Sequence, residues 1–325
     1  MGIKGLSEFI KKKCPEVIET FKISHFKSKT VAIDANNWMY KNMYFATSKT
    51  VKDAGSGITS LNRQEVIKNW IDLCIQFLYI WLENGMTPIF IFDGKCPVEK
   101  LGTQKDRQVK RNQLKSEIQT LSSKDDLEPN ESDRLKKLLG RDTTIEKDDI
   151  VALKTLLQKL GIPTITAPGE AEKHCAYLNI HGYADLVYTS DSDALCFGAK
   201  CVIRRFINSN IEVIYLHKVL AALQLQFETF IDLCIMSGCD YNKNIPNLGI
   251  GKSYILLKKY NKIEDCPHDK TCLQVDICRA LFKHDDTLDI TENLELDKEA
   301  FIRDARSFLG SFNLLNHMKR LSEAF

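Results

Sequence analysis

Two short runs of apolar and β-branched residues, Lys29 to Ile33 and Pro88 to Phe92, each stop directly at an aspartate, Asp34 and Asp93. A strand that is apolar on both faces reads as part of a covered, parallel sheet. Tyr183 to Thr189 repeats the pattern and leads to Asp191. Cys201 to Phe206 and Ile211 to Tyr215 suggest two further strands around the turn Asn208-Ser209-Asn210. Between these runs, Glu65 to Glu83 and Asp148 to Leu160 carry apolar residues at helical spacing, the second closed by Gly161 and Pro163. Strands alternating with helices predict an α/β fold. Ligands of such sheets bind beyond the carboxyl ends of the strands, so aspartates at three strand ends are expected to meet at one edge.

Two stretches leave this rhythm. Lys100 to Arg141 is polar and charged, with a turn at Glu128-Pro129-Asn130, and reads as a helical excursion or arch. The tail after about Asp265 says little until Lys298 to Ala324, which is helical in pattern. Thr50 to Asn62, with Gly55 and Gly57, reads as a flexible loop.

Composition narrows the class. With 325 residues and 44% hydrophobic content the chain can bury a large core. It has no run of eighteen apolar residues, and Met1 to Leu6 lacks a signal-peptide pattern, which predicts a soluble, non-secreted protein. Leu6 stands where an N-myristoylation motif wants Ser or Thr. The eleven cysteines are odd in number and without an export signal, so buried free thiols are expected. Cys196 and Cys201, Cys234 and Cys239, and Cys266, Cys272 and Cys278 are spaced too widely for paired zinc knuckles. A formal net charge of +2 neither demands nor excludes nucleic acid.

The chemistry lies in five short motifs: V-A-I-D at Val31 to Asp34, I-F-I-F-D-G-K at Ile89 to Lys95, P-G-E-A-E at Pro168 to Glu172, T-S-D-S-D at Thr189 to Asp193, and S-G-C-D-Y at Ser237 to Tyr241. Each places an acid at an element boundary. In an extended segment Asp191 and Asp193 would face the same way. Inside a helix Glu170 and Glu172 would diverge by about 200°, so they converge only if Glu170 lies at the non-helical start after Pro168-Gly169. Crowded carboxylates repel and raise one another's pKa unless cations neutralise them. Oxygen ligands without His or Cys favour a hard ion, Mg²⁺ or Mn²⁺, over zinc. Two ions about 4 Å apart can activate water and stabilise the leaving oxygen of a phosphodiester. Taken singly, each acid is better explained as an exposed boundary residue or a helix cap.

Together with the opening Met-Gly-Ile-Lys-Gly-Leu, these motifs resemble the XPG-type structure-specific nucleases, most closely the flap endonucleases, nearly end to end. The specific pieces are Ile33 to Ala35, Phe92 to Lys95, Glu170 to Glu172, Asp191 to Asp193 and Gly238 to Tyr241. The resemblance implies a PIN-like (5′-nuclease) fold: a mostly parallel central sheet flanked by helices, a helical arch and a helix-two-turn-helix DNA-binding element. The regions fall at 1–99 and 146–235 for the nuclease, 100–145 for the arch and 236–325 for the helix-two-turn-helix and C-terminal helices, as one catalytic unit. The family's metal ligands fall on Asp34, Asp93, Glu170, Glu172, Asp191, Asp193 and Asp240. The first four lie toward one ion, Asp191 and Asp193 toward the other, and Asp240 acts through water.

The family's phosphate-holding cations match Lys100 and Arg107, seven residues or about two helical turns apart. A solvated helix face remains the better reading for Lys105, Lys110, Arg111 and Lys115 taken individually. Tyr40 matches a tyrosine on which a nucleobase stacks, although an aromatic at helical spacing is more often core. The Gly2 backbone and freed amino terminus lie near the metal site in this family. Asn247 to Ser253, with Gly249, Gly251 and Lys252, resembles the helix-two-turn-helix that grips duplex phosphates, often with a potassium ion. Asn247 replaces the usual first glycine, and Asn tolerates left-handed geometry. The alternative is a plain turn between helices. Leu321 to Phe325 carries neither the family's sliding-clamp peptide nor its basic tail.

The resemblance thus implies a Mg²⁺- or Mn²⁺-dependent endonuclease of 5′ flaps. It would act as a monomer on branched DNA, away from membranes, at sites of replication and repair in the nucleus, leaving 5′-phosphate and 3′-hydroxyl ends. A 5′→3′ exonuclease of the same family shares every acid. A silent junction-binding scaffold would lack some of them. An RNA-cleaving PIN-type enzyme shares the acids but not the arch or the helix-two-turn-helix.

Overall fold

The computed structural model describes residues 2–55, 57–284 and 293–324. In chain order it begins with helix α1 (Leu6–Lys13), strands β1 (Ile18–Lys22) and β2 (Thr30–Asp34), and helices α2 (Ala35–Ala54) and α3 (Arg63–Leu82). Strand β3 (Thr87–Phe92) leads to helices α4 (Leu101–Ser122), α5 (Pro129–Leu139) and α6 (Lys147–Lys159). Strand β4 (Thr164–Thr166), helix α7 (Ala171–Ile180), strand β5 (Leu186–Tyr188) and the short helix α8 (Asp193–Cys196) follow. A hairpin of β6 (Cys201–Ile207) and β7 (Asn210–Tyr215) precedes helices α9 (Leu216–Leu223), α10 (Phe227–Ser237), α11 (Ile250–Tyr260), α12 (Val275–Phe282), α13 (Lys298–Ser311) and α14 (Met318–Ala324). Among the described residues no single helix is long and apolar enough to cross a membrane.

The chain forms two compact units. One comprises Met1–Ala35, Ile89–Thr103 and Ile165–Asn293; the other comprises Asn36–Pro88, Gln104–Thr164 and Leu294–Phe325.

The first unit is built on a seven-stranded sheet in the order β1-β7-β6-β5-β2-β3-β4. Strands β2, β5 and β6 run parallel, and β6, β7 and β1 continue as antiparallel neighbours. Val31, Ala32, Ile33, Ile89, Phe90 and Ile91 are all fully buried, so both faces of β2 and β3 are covered. This is why these strands are written as unbroken apolar runs rather than alternations. The expected strand Tyr183 to Thr189 shortens to β5, because Tyr183 and Ala184 both donate their amides to the Leu178 carbonyl and close α7 instead. The expected hairpin forms, with Asn208 left-handed in its turn.

The second unit is helical. The segment expected to be an arch forms α4 and α5, and Pro129 takes the first position of α5, where its missing N–H costs nothing. Leu121, Leu135, Leu138 and Leu139 make a small core against which Val51, Ile58, Leu61, Leu114, Ile118 and Leu127 pack. That packing corrects the expected loop at Thr50 to Asn62. Helix α2 runs on to Ala54 because Val51 is held by the leucines, while the Thr50 hydroxyl donates to the Ala46 carbonyl and accepts from Asn69. The turn contracts to the residues after Ala54. Asn62 then caps α3, its side chain accepting from the Gln64 and Glu65 amides. Tyr79 of α3 bonds His317, whose other ring nitrogen meets Asp72, and the C-terminal helix α14 begins beside this network.

Candidate metal centre

The acids approach one another through four local devices. Asp34 is the last residue of β2 and is buried, accepting from the Thr189 hydroxyl at 3.0 Å. Asp93 follows β3 and accepts from the Ala171 amide at 2.7 Å, so it sits at the positive end of α7. That close approach requires Gly94. A Cβ there would lie 1.8 Å from the Ala167 carbonyl oxygen, and the Gly94 amide donates to the Gly169 carbonyl at 2.8 Å. Glu170 is the N-cap of α7 with extended backbone (φ −80°, ψ 136°), the non-helical start on which its convergence with Glu172 depends, and both carboxylates act on the Lys100 ammonium.

Asp191 and Asp193 converge differently from expectation. Ser192 between them is helical (φ −82°, ψ −10°) and Asp193 opens α8, so a turn, not strand alternation, brings them together. The Ser192 amide donates to Asp191 Oδ1 at 2.8 Å, and the Asp191 amide donates to the Thr189 hydroxyl at 3.1 Å.

Carboxylate oxygens of Glu172, Asp191 and Asp193 all lie within 4.8 Å of one another. Burial, reinforced by Asp191, Asp34 and Asp193, pushes the Glu172 carboxyl well above the ordinary range. Burial with Asp191 and Asp240 does the same to Asp193, and burial with Asp240 raises Asp191. Asp193 Oδ1 is buried and accepts no hydrogen bond among the described residues. A carboxylate oxygen kept from water and from donors is costly unless a cation meets it. The donor set is oxygen only, which fits Mg²⁺ or Mn²⁺ and not a thiolate metal. The eleven cysteines are free thiols, nine of them buried, and none joins this cluster.

The raised pKa values set a testable pH dependence. Below the unfolded carboxylate range, at about 4, Glu172, Asp191 and Asp193 are protonated in both states and oppose nothing. As pH rises through the folded values, metal-free protein must hold buried protons or repelling charges, and the stability present in acid is lost. Metal binding displaces those protons. Thermal melts in EDTA and in MnCl₂ should therefore diverge more at about pH 8 than at about pH 5.5. An equal metal-induced shift at both values would contradict this.

Lys100 lies in a short 3₁₀ turn, Val98–Lys100, ahead of α4, so the spacing of two α-helical turns to Arg107 does not carry over to it. Its ammonium pairs with Glu170 and with Asp240 at 3.3 Å. Burial alone would lower the Lys100 pKa, but Glu170, Glu172 and Asp240 outweigh it and hold the group above its usual value. The Thr103 hydroxyl donates to the Asp240 carbonyl at 2.9 Å, tying the first turn of α4 to the same loop. Arg107 and Tyr40 belong to the second compact unit. Tyr40 is 39% exposed, which removes the core reading of this side chain.

Gly2 packs closely against Asp191 and Asp193. A Cβ on it would lie 1.8 Å from Asp191 Oδ1 and 2.4 Å from Asp193 Oδ1, and its φ is +86°. Asn247 adopts the left-handed geometry expected of the missing glycine (φ 60°), and Gly249 caps α11, which contains Gly251 and Lys252. Lys252 Nζ donates to the Asn247 carbonyl at 3.0 Å. Three participants went unassigned in the sequence: Thr189 on Asp34, Thr103 on Asp240, and Tyr241, whose hydroxyl donates to Glu170. Thr189 and Tyr241 stood inside quoted motifs, though without a role; Thr103 did not.

Residues 1–114 match the XPG N-terminal domain and residues 161–240 the XPG I-region. The chain is 32% identical over 271 residues to flap endonuclease 1 of Enterocytozoon bieneusi (strain H348), covering 82% of this chain and 72% of that protein. It is 33% identical to flap endonuclease 1 of Theileria parva, again over 82% of this chain but only 52% of that longer protein. Among solved structures it is similar to flap endonuclease-1 from Methanococcus jannaschii, with TM-score 0.67, 24% identity and coverage of 99% of this chain and 98% of that one. The catalytic core of Rad2 in complex with DNA substrate gives TM-score 0.68 at 19% identity, with the same coverage. These two structures share the PIN-like fold with its mostly parallel sheet. On the order of its two family domains and its identity to the Enterocytozoon enzyme, the chain belongs to the XPG family of metal-dependent nucleases, among the flap endonucleases.

Proposed function

We propose that this protein is a structure-specific endonuclease that cuts 5′ single-stranded flaps of branched DNA near their junction with duplex, in replication and repair. The observation that carries the reading is the meeting of Glu172, Asp191 and Asp193 within 4.8 Å, beside a lysine held on two further acids. Asp34, Asp93, Glu170 and Glu172 would hold one Mg²⁺ or Mn²⁺, Asp191 and Asp193 a second, with Asp240 acting through water. When bound, the ions supply an activated water and stabilise the leaving oxygen in an in-line displacement. Water oxygen joins phosphorus as the P–O3′ bond breaks, leaving a 3′-hydroxyl and a 5′-phosphate.

The chain's own residues supply position and charge. Lys100 transfers from its acids to the scissile phosphate as substrate arrives, and Arg107 from α4 adds a second cation. Residues 100–145 act as the arch around the single strand. Tyr40 offers its exposed ring to a base, where stacking contributes about 1–3 kcal/mol. Asn247, Gly249, Gly251 and Lys252 hold duplex phosphates. A potassium ion there would compete with Lys252 for the Asn247 carbonyl. The protein acts as a monomer at sites of DNA replication in the nucleus.

Labelled 5′-flap, nicked and blunt duplexes, with DNA or RNA flaps, test the reading. Flap-length products from the DNA flap are expected. Mononucleotides alone, released from blunt ends, would identify an exonuclease instead.

A further inference from the structure

Glu170 is placed by neighbours and not by its own helix. Although it is the N-cap of α7, its side chain makes no capping bond. Its two oxygens are instead taken separately, Oε1 by Lys100 Nζ and Oε2 by the Tyr241 hydroxyl. Tyr241 directly follows Asp240 and is 5% exposed, with its ring packed edge-on against Phe282 at 5.6 Å. One loop therefore carries both Asp240 and the donor that holds Glu170, the two acids that share the Lys100 ammonium.

We propose that Tyr241 is a positioning residue that fixes the Glu170 carboxylate toward a divalent ion, a role that rests on the metal-dependent reading above. The two donors on Glu170 differ in kind. Lys100 is a cation on a flexible stem and moves when a phosphate or an ion competes for it. Tyr241 is a neutral hydroxyl on a rigid, packed ring. A hydroxyl uses one lone pair of Oε2, and the remaining lone pairs of the carboxylate stay available to an ion. Without it, Glu170 turns with Lys100, and the pair persists where the ion should sit. Partners that orient metal ligands typically change metal affinity by about 10- to 100-fold.

The test is a Mn²⁺ titration followed by EPR on DNA-free protein, comparing the unaltered chain with Tyr241→Phe. Phe keeps the contact with Phe282 and deletes only the donor. The class of Mn²⁺ sites that Glu170→Gln weakens should lose about 10-fold or more in affinity in Tyr241→Phe, while melting in EDTA changes little. Glu170→Gln should lower the same class, and adding Tyr241→Phe to it should lower affinity no further. A lowered melting temperature with unchanged Mn²⁺ affinity would overturn the proposal and leave the metal centre standing. Absence of Mn²⁺ binding by the unaltered chain would overturn the metal reading and this one together.

Discussion

Asp193→Asn is expected to reduce cleavage of a 5′-flap substrate by on the order of 10³-fold or more, because several kcal/mol of transition-state stabilisation depend on the ions and each ~1.4 kcal/mol is a factor of ten. The same change should not weaken the fold. Asp193 is buried among Asp191, Asp240 and Glu172, its carboxyl is pushed well above the usual range, and its Oδ1 accepts no hydrogen bond among the described residues. Removing the charge relieves repulsion that only a cation otherwise offsets. Melting in EDTA at about pH 8 should thus move upward while activity collapses, the pattern of a site whose strain serves function. Junction binding, measured by fluorescence anisotropy in Ca²⁺, should persist. A variant that both melts lower in EDTA and loses DNA binding would show that Asp193 is a structural acid.

Gly2→Ala should be nearly as damaging, although it alters no acid. The added Cβ would fall 1.8 Å from one carboxylate oxygen and 2.4 Å from another, at a φ of +86° that L side chains rarely adopt. Either the N-terminal segment moves away or Asp191 and Asp193 turn from their shared side. Both outcomes disturb the same centre, so a loss of about 10²-fold or more in cleavage is expected, by analogy with a displacement of about 1 Å in a positioned site. Mn²⁺ affinity should fall with it. Wild-type activity in Gly2→Ala would show that the backbone yields there at no cost.

What the sequence made legible follows from how each element is buried. Strands β2 and β3 were readable because both faces are covered and the apolar run ends at an acid. Helix α7 was not, because His174, Cys175, Ala176, Tyr177, Leu178 and Asn179 are all buried, leaving no polar stripe to mark a period. The extension of α2 to Ala54 depended on leucines of α4 and α5 many residues away, which no local pattern reports. The seven acids were visible as boundary residues, and the non-helical start after Pro168-Gly169, legible only as a condition for Glu170 to converge with Glu172, is met by the extended backbone at Glu170. Thr-Ser-Asp-Ser-Asp suits a strand end as well as a turn, so the turn at Ser192 has no mark of its own along the chain. Thr189 and Thr103 were invisible as participants, since a hydroxyl pointing at a distant acid or carbonyl has no signature along the chain.

The two-ion centre is tested most directly by a crystal soaked in Mn²⁺ and measured for anomalous scattering. Two peaks about 4 Å apart are expected, one against Asp34, Asp93, Glu170 and Glu172 and one against Asp191 and Asp193. A single peak remote from these acids, or none at saturating Mn²⁺, would contradict the account.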